Sequence, residues 1–336
     1  MAALRKREGR WQARVRRKGF PEQVETFATK QEAERWARQV EGEQDQGQFY
    51  DRTAAESTTL GALFKRYAQE VTPLKRGSKS ELQRLSKLQR ARIAFLSMAN
   101  LRPQDVAEHR DLRLQTIMSS TANRELQLIS AVINHASREW GIRIPENPVS
   151  KIRKPHPGKA RNRVFVGDEE DRLFAVLRGD LGYKRVPKKN FNHWVRPIVE
   201  LALETACRRG ELLSMIWKNV DLDRAVIFLP LTKNGEDRFV PLSKRAIEIV
   251  QALPRTDDPR LFPIPWTALH QTFSNSCRRA GMEDFHFHDL RHVATTRLAK
   301  RLPNVIELAA VTGHKSLAML HRYYHTLPEE LARKLG

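Results

Sequence analysis

The chain has 336 residues, 40% of them apolar, with 60 Lys or Arg against 39 Asp or Glu for a formal net charge of +21. That length exceeds one ordinary domain and suits two or three, and so large a positive excess calls for a polyanion, nucleic acid foremost. The two cysteines, Cys207 and Cys277, are too few and too far apart for a disulfide framework or a zinc pattern, and no apolar run approaches membrane-spanning length.

The first fifty residues read as a module of their own. Met1 to Phe20 carry eight Lys or Arg and a single Glu. In Trp11–Arg17, Trp11, Ala13 and Val15 alternate with Gln12, Arg14 and Arg16, which predicts a strand with one apolar and one basic face. Lys18-Gly19-Phe20-Pro21 supplies a turn and Val24–Phe27 a further strand. Thr29 and Glu32 form a capping box, after which Ala33, Trp36, Ala37 and Val40 recur at helical spacing. A helix packed on one face of a two- or three-stranded sheet leaves the Arg14/Arg16 face free for a DNA major groove or for solvent.

Asp51–Thr58 is polar and reads as a linker. Leu60, Leu63, Phe64, Tyr67, Ala68 and Val71 then form a helical stripe, broken at Pro73–Ser78. Leu82, Leu85 and Leu88 predict a second helix, Pro103 opens a third toward Leu112, and Thr121–Trp140 is a long fourth. Asn147-Pro148 closes this helical block. Lys151–Arg163, rich in Lys and Arg with two Pro, one Gly and no acid, is a basic linker: a strap along a phosphate backbone or a solvated connector. Beyond it Asp168 is read as a helix cap, Tyr183–Asn192 as a basic loop and Pro197–Cys207 as an apolar helix. Ala225–Leu229 and Arg238–Leu242 are read as a hairpin turning at Asn234-Gly235, followed by helices to the end.

Five features of this last segment carry candidate chemistry, each with an ordinary alternative in capping, solubility or packing. Arg208, at the end of the apolar helix, can aim a planar fork at a phosphate. Lys233 precedes the hairpin turn and can serve as a proton donor. His288 and Arg291 share one helix face. His314, ahead of a cap at Ser316, is expected at a helix entrance suited to anions. Tyr323, beside Tyr324 near the end of the next helix, offers a phenol nucleophile.

Taken in order, Thr205–Leu212, Thr232–Gly235, His288–His292, Gly313-His314 and Arg322–His325 resemble the successive motifs of the tyrosine recombinases, the phage integrase type. The resemblance covers the whole chain. It implies a multidomain, mainly α protein with small β elements: an arm-type DNA-binding module of short sheet plus helix at 1–50, a helical core-binding (SAM-like) domain at 57–150, the basic linker at 151–163, and a mixed, mostly-α catalytic domain at 164–336 with a C-terminal tail. It implies that Arg208 and Arg291 clamp the scissile phosphate, that Lys233 protonates the departing 5′ oxygen, and that His288 assists proton transfer at the nucleophile. His314 would bond a phosphate oxygen, Tyr323 would attack phosphorus, and Glu211 would support the site. Ala206 departs from the family's usual Gly. Arg14, Arg16, Lys151, Arg153 and Lys154 are candidate DNA contacts. No metal or cofactor is expected. The expected partners are double-stranded attachment sites, a homo-tetramer on DNA and accessory bending or directionality proteins, in a bacterial cytoplasm without membrane attachment. Three rivals remain: a rolling-circle nuclease using His286-Phe287-His288 and the paired tyrosines, a type IB topoisomerase, and a DNA-binding protein without activity.

Overall fold

A computed structural model describes residues 2–45, 53–142, 144–158, 161–180, 192–230 and 237–324, and divides the chain into two compact units, 1–159 and 160–336. It is mostly helical with two small antiparallel sheets, as expected. Among the described residues no helix is long and apolar enough to cross a membrane.

The first unit opens with a three-stranded sheet, β1 (Ala2–Arg7), β2 (Arg10–Val15) and β3 (Gln23–Phe27), in register from Ala2 opposite Val15 to Arg7 opposite Arg10. Strand β1 was not expected. It is joined to β2 by the two-residue turn Glu8-Gly9, whose φ values of +45° and +79° match the left-handed turn that a twisted hairpin prefers. Helix α1 (Lys30–Asp45) covers one face, burying Ala13, Val15, Ala33, Ala37 and Val40. Its capping box forms as predicted, Glu32 N–H donating to Thr29 Oγ1 at 3.2 Å and Thr29 N–H to Glu32 Oε2 at 3.0 Å.

The stretch read as a polar linker is helical at α2 (Thr53–Ser57), where Ala55 is buried and anchors it to the helices that follow. These are α3 (Leu60–Glu70), α4 (Ser78–Leu88), α5 (Pro103–Leu114) and α6 (Ser119–Glu139), around a core that includes Leu63, Phe64, Leu85, Ile129 and Ile133. Thr59 caps α3 and Pro103 occupies the first position of α5. The start of the basic linker is tied to this bundle: Arg110 Nη1 donates to the Arg153 carbonyl at 2.6 Å and Asn123 Nδ2 to the Pro155 carbonyl at 2.7 Å.

The second unit begins with α7 (Glu169–Arg178), α8 (Val195–Thr205) and the short α9 (Arg209–Ser214). Asp168 precedes α7 but does not cap it with its side chain; the Val166 N–H is met instead by Glu169 Oε2 at 2.9 Å. A second sheet, β4 (Val220–Asp221), β5 (Val226–Leu229) and β6 (Arg238–Pro241), is followed by α10 (Lys244–Gln251), α11 (Trp266–Arg279), α12 (Phe287–Arg301) and α13 (Val305–Thr312). Apolar α8 is buried through Val195, Ile198, Val199, Leu201 and Ala202 and packs against α12, fixing the distance between their ends. The basic loop apart from Asn192, the Asn234-Gly235 turn with Lys233, and the tail from His325 lie outside the described residues.

Candidate active site

The site grows from the C-terminus of α8. Thr205 bonds back to the Leu201 carbonyl at 2.6 Å, and the buried Ala206 turns the chain in the left-handed region, φ +53° and ψ 19°. That conformation suits glycine and costs an L residue roughly 1–2 kcal/mol. The reversal moves Arg208 from the expected helix end to the N-terminus of α9.

Glu211, 5% exposed, is the hub beneath it. Its Oε1 accepts from Arg208 Nη1 at 2.8 Å, and its Oε2 from the Arg208 N–H and Arg238 Nη2, both at 2.9 Å. Burial raises the Glu211 carboxyl's pKa, but Arg238 and then Arg208 outweigh it and hold the group below its usual range. Arg208 Nη2 also donates to the Gly313 carbonyl at 3.1 Å, and Arg238 Nη1 to the Val311 carbonyl at 2.7 Å, pinning the end of α13 over α9.

Arg291, on α12 and 5% exposed, donates through Nη1 to the Ala206 carbonyl at 2.6 Å, while its Nη2 lies 3.1 Å from His314 Nε2. His314 Nδ1 lies 2.6 Å from Thr312 Oγ1, whose own proton goes to the Leu308 carbonyl at 2.6 Å. This network assigns the proton to Nδ1 and leaves Nε2 to accept from Arg291. His314 does not sit at a helix entrance. It follows Gly313, the left-handed C-cap of α13 (φ +67°), and Ser316 makes no side-chain cap.

Tyr323 lies on a 3₁₀ turn, His321–Tyr323, instead of near the end of a helix. It joins the cluster through His292, the residue after Arg291: His292 Nδ1 is 2.5 Å from the phenol oxygen. Tyr324 is committed elsewhere, its hydroxyl donating to the Leu302 carbonyl at 2.8 Å. His288 is exposed at the start of α12, its ring edge-on to that of His292. His286 is the N-cap of α12 and His288 lies within that helix, so the pair does not share the strand that a rolling-circle metal motif requires.

The electrostatics of the cluster are lopsided. Arg291 bonds a carbonyl and an imidazole instead of a carboxylate, and burial followed by repulsion from Arg208 brings its pKa down to about 10. Burial, then Arg291 and Arg208, push His314 down to about 3. Burial lifts the Tyr323 phenol above its usual value. A buried cation that is repelled by its neighbour and bonded to no carboxylate is stabilised by an incoming anion.

Arg208, Glu211, Arg291 and His314 therefore meet in one hydrogen-bonded cluster, with Tyr323 attached through His292 and His288 at the edge. Sequence reasoning missed Arg238 and the part played by His292, because their partners lie 27 to 73 residues away along the chain; it also missed Thr312, whose partners Leu308 and His314 are near in sequence but which carries no motif of its own. Of the candidate DNA contacts, Arg14 is exposed on β2 and paired with Glu22 at 2.5 Å, and Arg16 is exposed just past the strand. Lys151 pairs with Glu146 at 2.8 Å, and Arg153 and Lys154 are exposed.

A family model described as the phage integrase family matches residues 167–330. A shufflon-specific DNA recombinase of Escherichia coli is 36% identical over 286 residues, 82% of this chain and 71% of that protein. A Haemophilus influenzae protein provisionally named an integrase/recombinase is 34% identical over 330 residues, 97% of this chain and 87% of that one. Among solved structures, a lambda integrase dimer bound to a COC′ core site aligns with a TM-score of 0.65 at 19% identity, covering 95% of this chain and 93% of that chain.

Proposed function

Because the chain belongs to the phage integrase family, and so is a site-specific DNA recombinase that breaks and rejoins strands through a 3′-phosphotyrosine, we propose that the cluster around Arg208 and Arg291 is its phosphate site and Tyr323 its nucleophile. The carrying observation is the anion deficit: two guanidiniums, one of them buried, converge with a neutral imidazole, and among the described residues no carboxylate bonds Arg291.

In this reading Arg208 and Arg291 take the non-bridging oxygens and stabilise the charge that builds on them during attack, usually the largest catalytic contribution. A bound phosphate oxygen takes over the Arg291 hydrogen bond now made to His314 and raises the basicity of that imidazole, so that it donates to the phosphate. Glu211 holds Arg208 and Arg238 in place without touching DNA. Lys233, as the family resemblance implies, protonates the departing 5′ oxygen, and His288 assists proton transfer at the nucleophile. The phosphotyrosine bond conserves the energy of the broken phosphodiester, so rejoining needs only a 5′ hydroxyl from a partner strand and no ATP.

The assignment of domains follows the same reading: residues 1–50 as an arm-type module presenting Arg14 and Arg16 to DNA, 57–150 as the core-binding domain, 151–163 as a strap bringing Lys151, Arg153 and Lys154 to the phosphate backbone, and 164–336 as the catalytic domain. The partners are two attachment-site duplexes, three further copies of the chain assembled on them, and accessory bending or directionality proteins. A nicked suicide substrate tests the nucleophile. Tyr323→Phe is expected to bind it as tightly as the native protein and to form no covalent complex; persistent attachment would transfer the role elsewhere, to Tyr324 first.

A further inference from the structure

A phenol that attacks phosphorus must lose its proton, and the residue nearest that proton is not His288. His292 stands between His288 and Tyr323. Its Nδ1 is 2.5 Å from the Tyr323 oxygen, and the two rings lie 30° from parallel with centroids 6.0 Å apart. On its other side His288 meets it edge-on, centroids 5.5 Å apart. The backbone carbonyl of His292 accepts from Thr296 Oγ1 at 2.9 Å.

Resting on the reading of Tyr323 as the nucleophile, we propose that His292 is a catalytic residue, which orients the phenol and accepts its proton through Nδ1 as the oxygen attacks. The ring must be neutral for the phenol to donate to it. The groups facing it are His288, Asp289 and Arg291 on α12, and Arg322 and Tyr323 on the 3₁₀ turn. Burial, His288, Arg322 and Arg291 favour the neutral imidazole, holding its pKa at about 4, and Asp289 opposes them. Asp289 is itself bonded by Arg161, Nη2 to Oδ2 at 2.7 Å. A phosphate beside Arg291 offsets that cation, so the imidazole becomes a stronger base when the substrate is in place.

The step balances. The Tyr323 oxygen–phosphorus bond forms as the phosphorus–5′ oxygen bond breaks; the phenol proton passes to His292 Nδ1, and the departing oxygen takes a proton from the general acid assigned above to Lys233. In rejoining, a 5′ hydroxyl attacks phosphorus and gives its proton back to that general acid, while His292 returns its proton to the leaving phenolate.

The test is the single-turnover rate of covalent attachment of the full chain to a nicked suicide substrate, followed from acid to alkaline pH, with DNA binding and thermal melting measured alongside. In His292→Asn the side-chain oxygen still accepts the phenol's hydrogen bond but takes up no proton. His292→Phe keeps the ring packing alone. Both are expected to bind DNA like the native protein and to attach at least ~10²-fold more slowly, the low end of what a general base contributes. The native rate should rise with pH, and that limb should flatten in His292→Asn. Added imidazole should restore part of the rate to His292→Ala. A His292→Asn rate within a few-fold of native with an unchanged pH profile overturns the proposal, as does a slow His292→Ala that imidazole leaves slow. Tyr323→Phe in the same assay separates the two readings: attachment there removes the nucleophile assignment, whereas an inert Tyr323→Phe beside a fully active His292→Asn removes only the role of His292.

Discussion

Glu211 shows how one buried carboxylate organises a cluster of guanidiniums. Its carboxylate sits between two guanidiniums, in a position where removal leaves both Arg208 and Arg238 short of a buried partner. Glu211→Ala is expected to destabilise the fold by roughly 3 kcal/mol, the low end for breaking a buried pair, and to abolish covalent attachment through the loss of Arg208's aim. Because folding lowers the pKa of this group from its ordinary value of 4.5, its contribution is complete above that value and fades as pH falls through the lower folded-state value. Urea titrations of the native protein should lose stability on acidification below about pH 4.5, and the gap to Glu211→Ala should narrow over that range. A constant gap would mean that the carboxylate is not the titrating hub. Arg208, Glu211, Arg291, His314 and Tyr323 could be located from short motifs because each carries a local signature. Arg238 and His292 could not be assigned their parts, since those depend on groups brought close by the packing of α8, α12 and α13.

Among the elements, the helices read most clearly from sequence and the tight turns least. The stripe of α3 and the Thr29–Glu32 box needed only spacing and caps. Strand β1 escaped because Ala2–Arg7 offers little beyond Leu4 to mark an apolar face, and because Glu-Gly is a weaker hairpin signal than Asn-Gly. The expected helix entrance at His314 failed for a related reason: Gly313 closes α13 instead of preceding a new helix. Helix α3 also contains a close contact that no sequence pattern announces. A Cβ on Gly61 would lie 2.8 Å from the Ala94 carbonyl oxygen, which is backbone and has no side chain to swing aside. Gly61→Ala should therefore cost about 1–3 kcal/mol through overpacking, although alanine favours helix. Gly42→Ala on α1, where nothing lies within 4 Å, should instead gain up to about 1 kcal/mol. Melting temperatures that moved the same way for both substitutions would contradict this account of α3.

At the scale of the whole molecule, a net charge of +21 sets the terms on which the chain meets DNA. Binding should weaken steeply with salt, because each phosphate neutralised releases condensed counterions. If Arg14 and Arg16 each neutralise one phosphate, the double substitution Arg14→Ala/Arg16→Ala should flatten the slope of log affinity against log salt by about 2, while leaving attachment to a short core duplex intact. An unchanged slope would remove the basic strand face from the DNA contacts.

The mounting of Tyr323 has a mechanical consequence. The guanidinium cluster is rooted in α8, α9 and α12 and the large core they share, whereas Tyr323 rides on two single-turn 3₁₀ segments whose apolar support is Ala299, Leu308 and Leu320 with a few partly covered neighbours. Short turns hold few cooperative hydrogen bonds, so such a segment opens at a small fraction of the cost of global unfolding. On the assignment proposed above, the tyrosine can come away from this support while Arg208 and Arg291 keep theirs, which separates holding the DNA from cutting it within a single polypeptide.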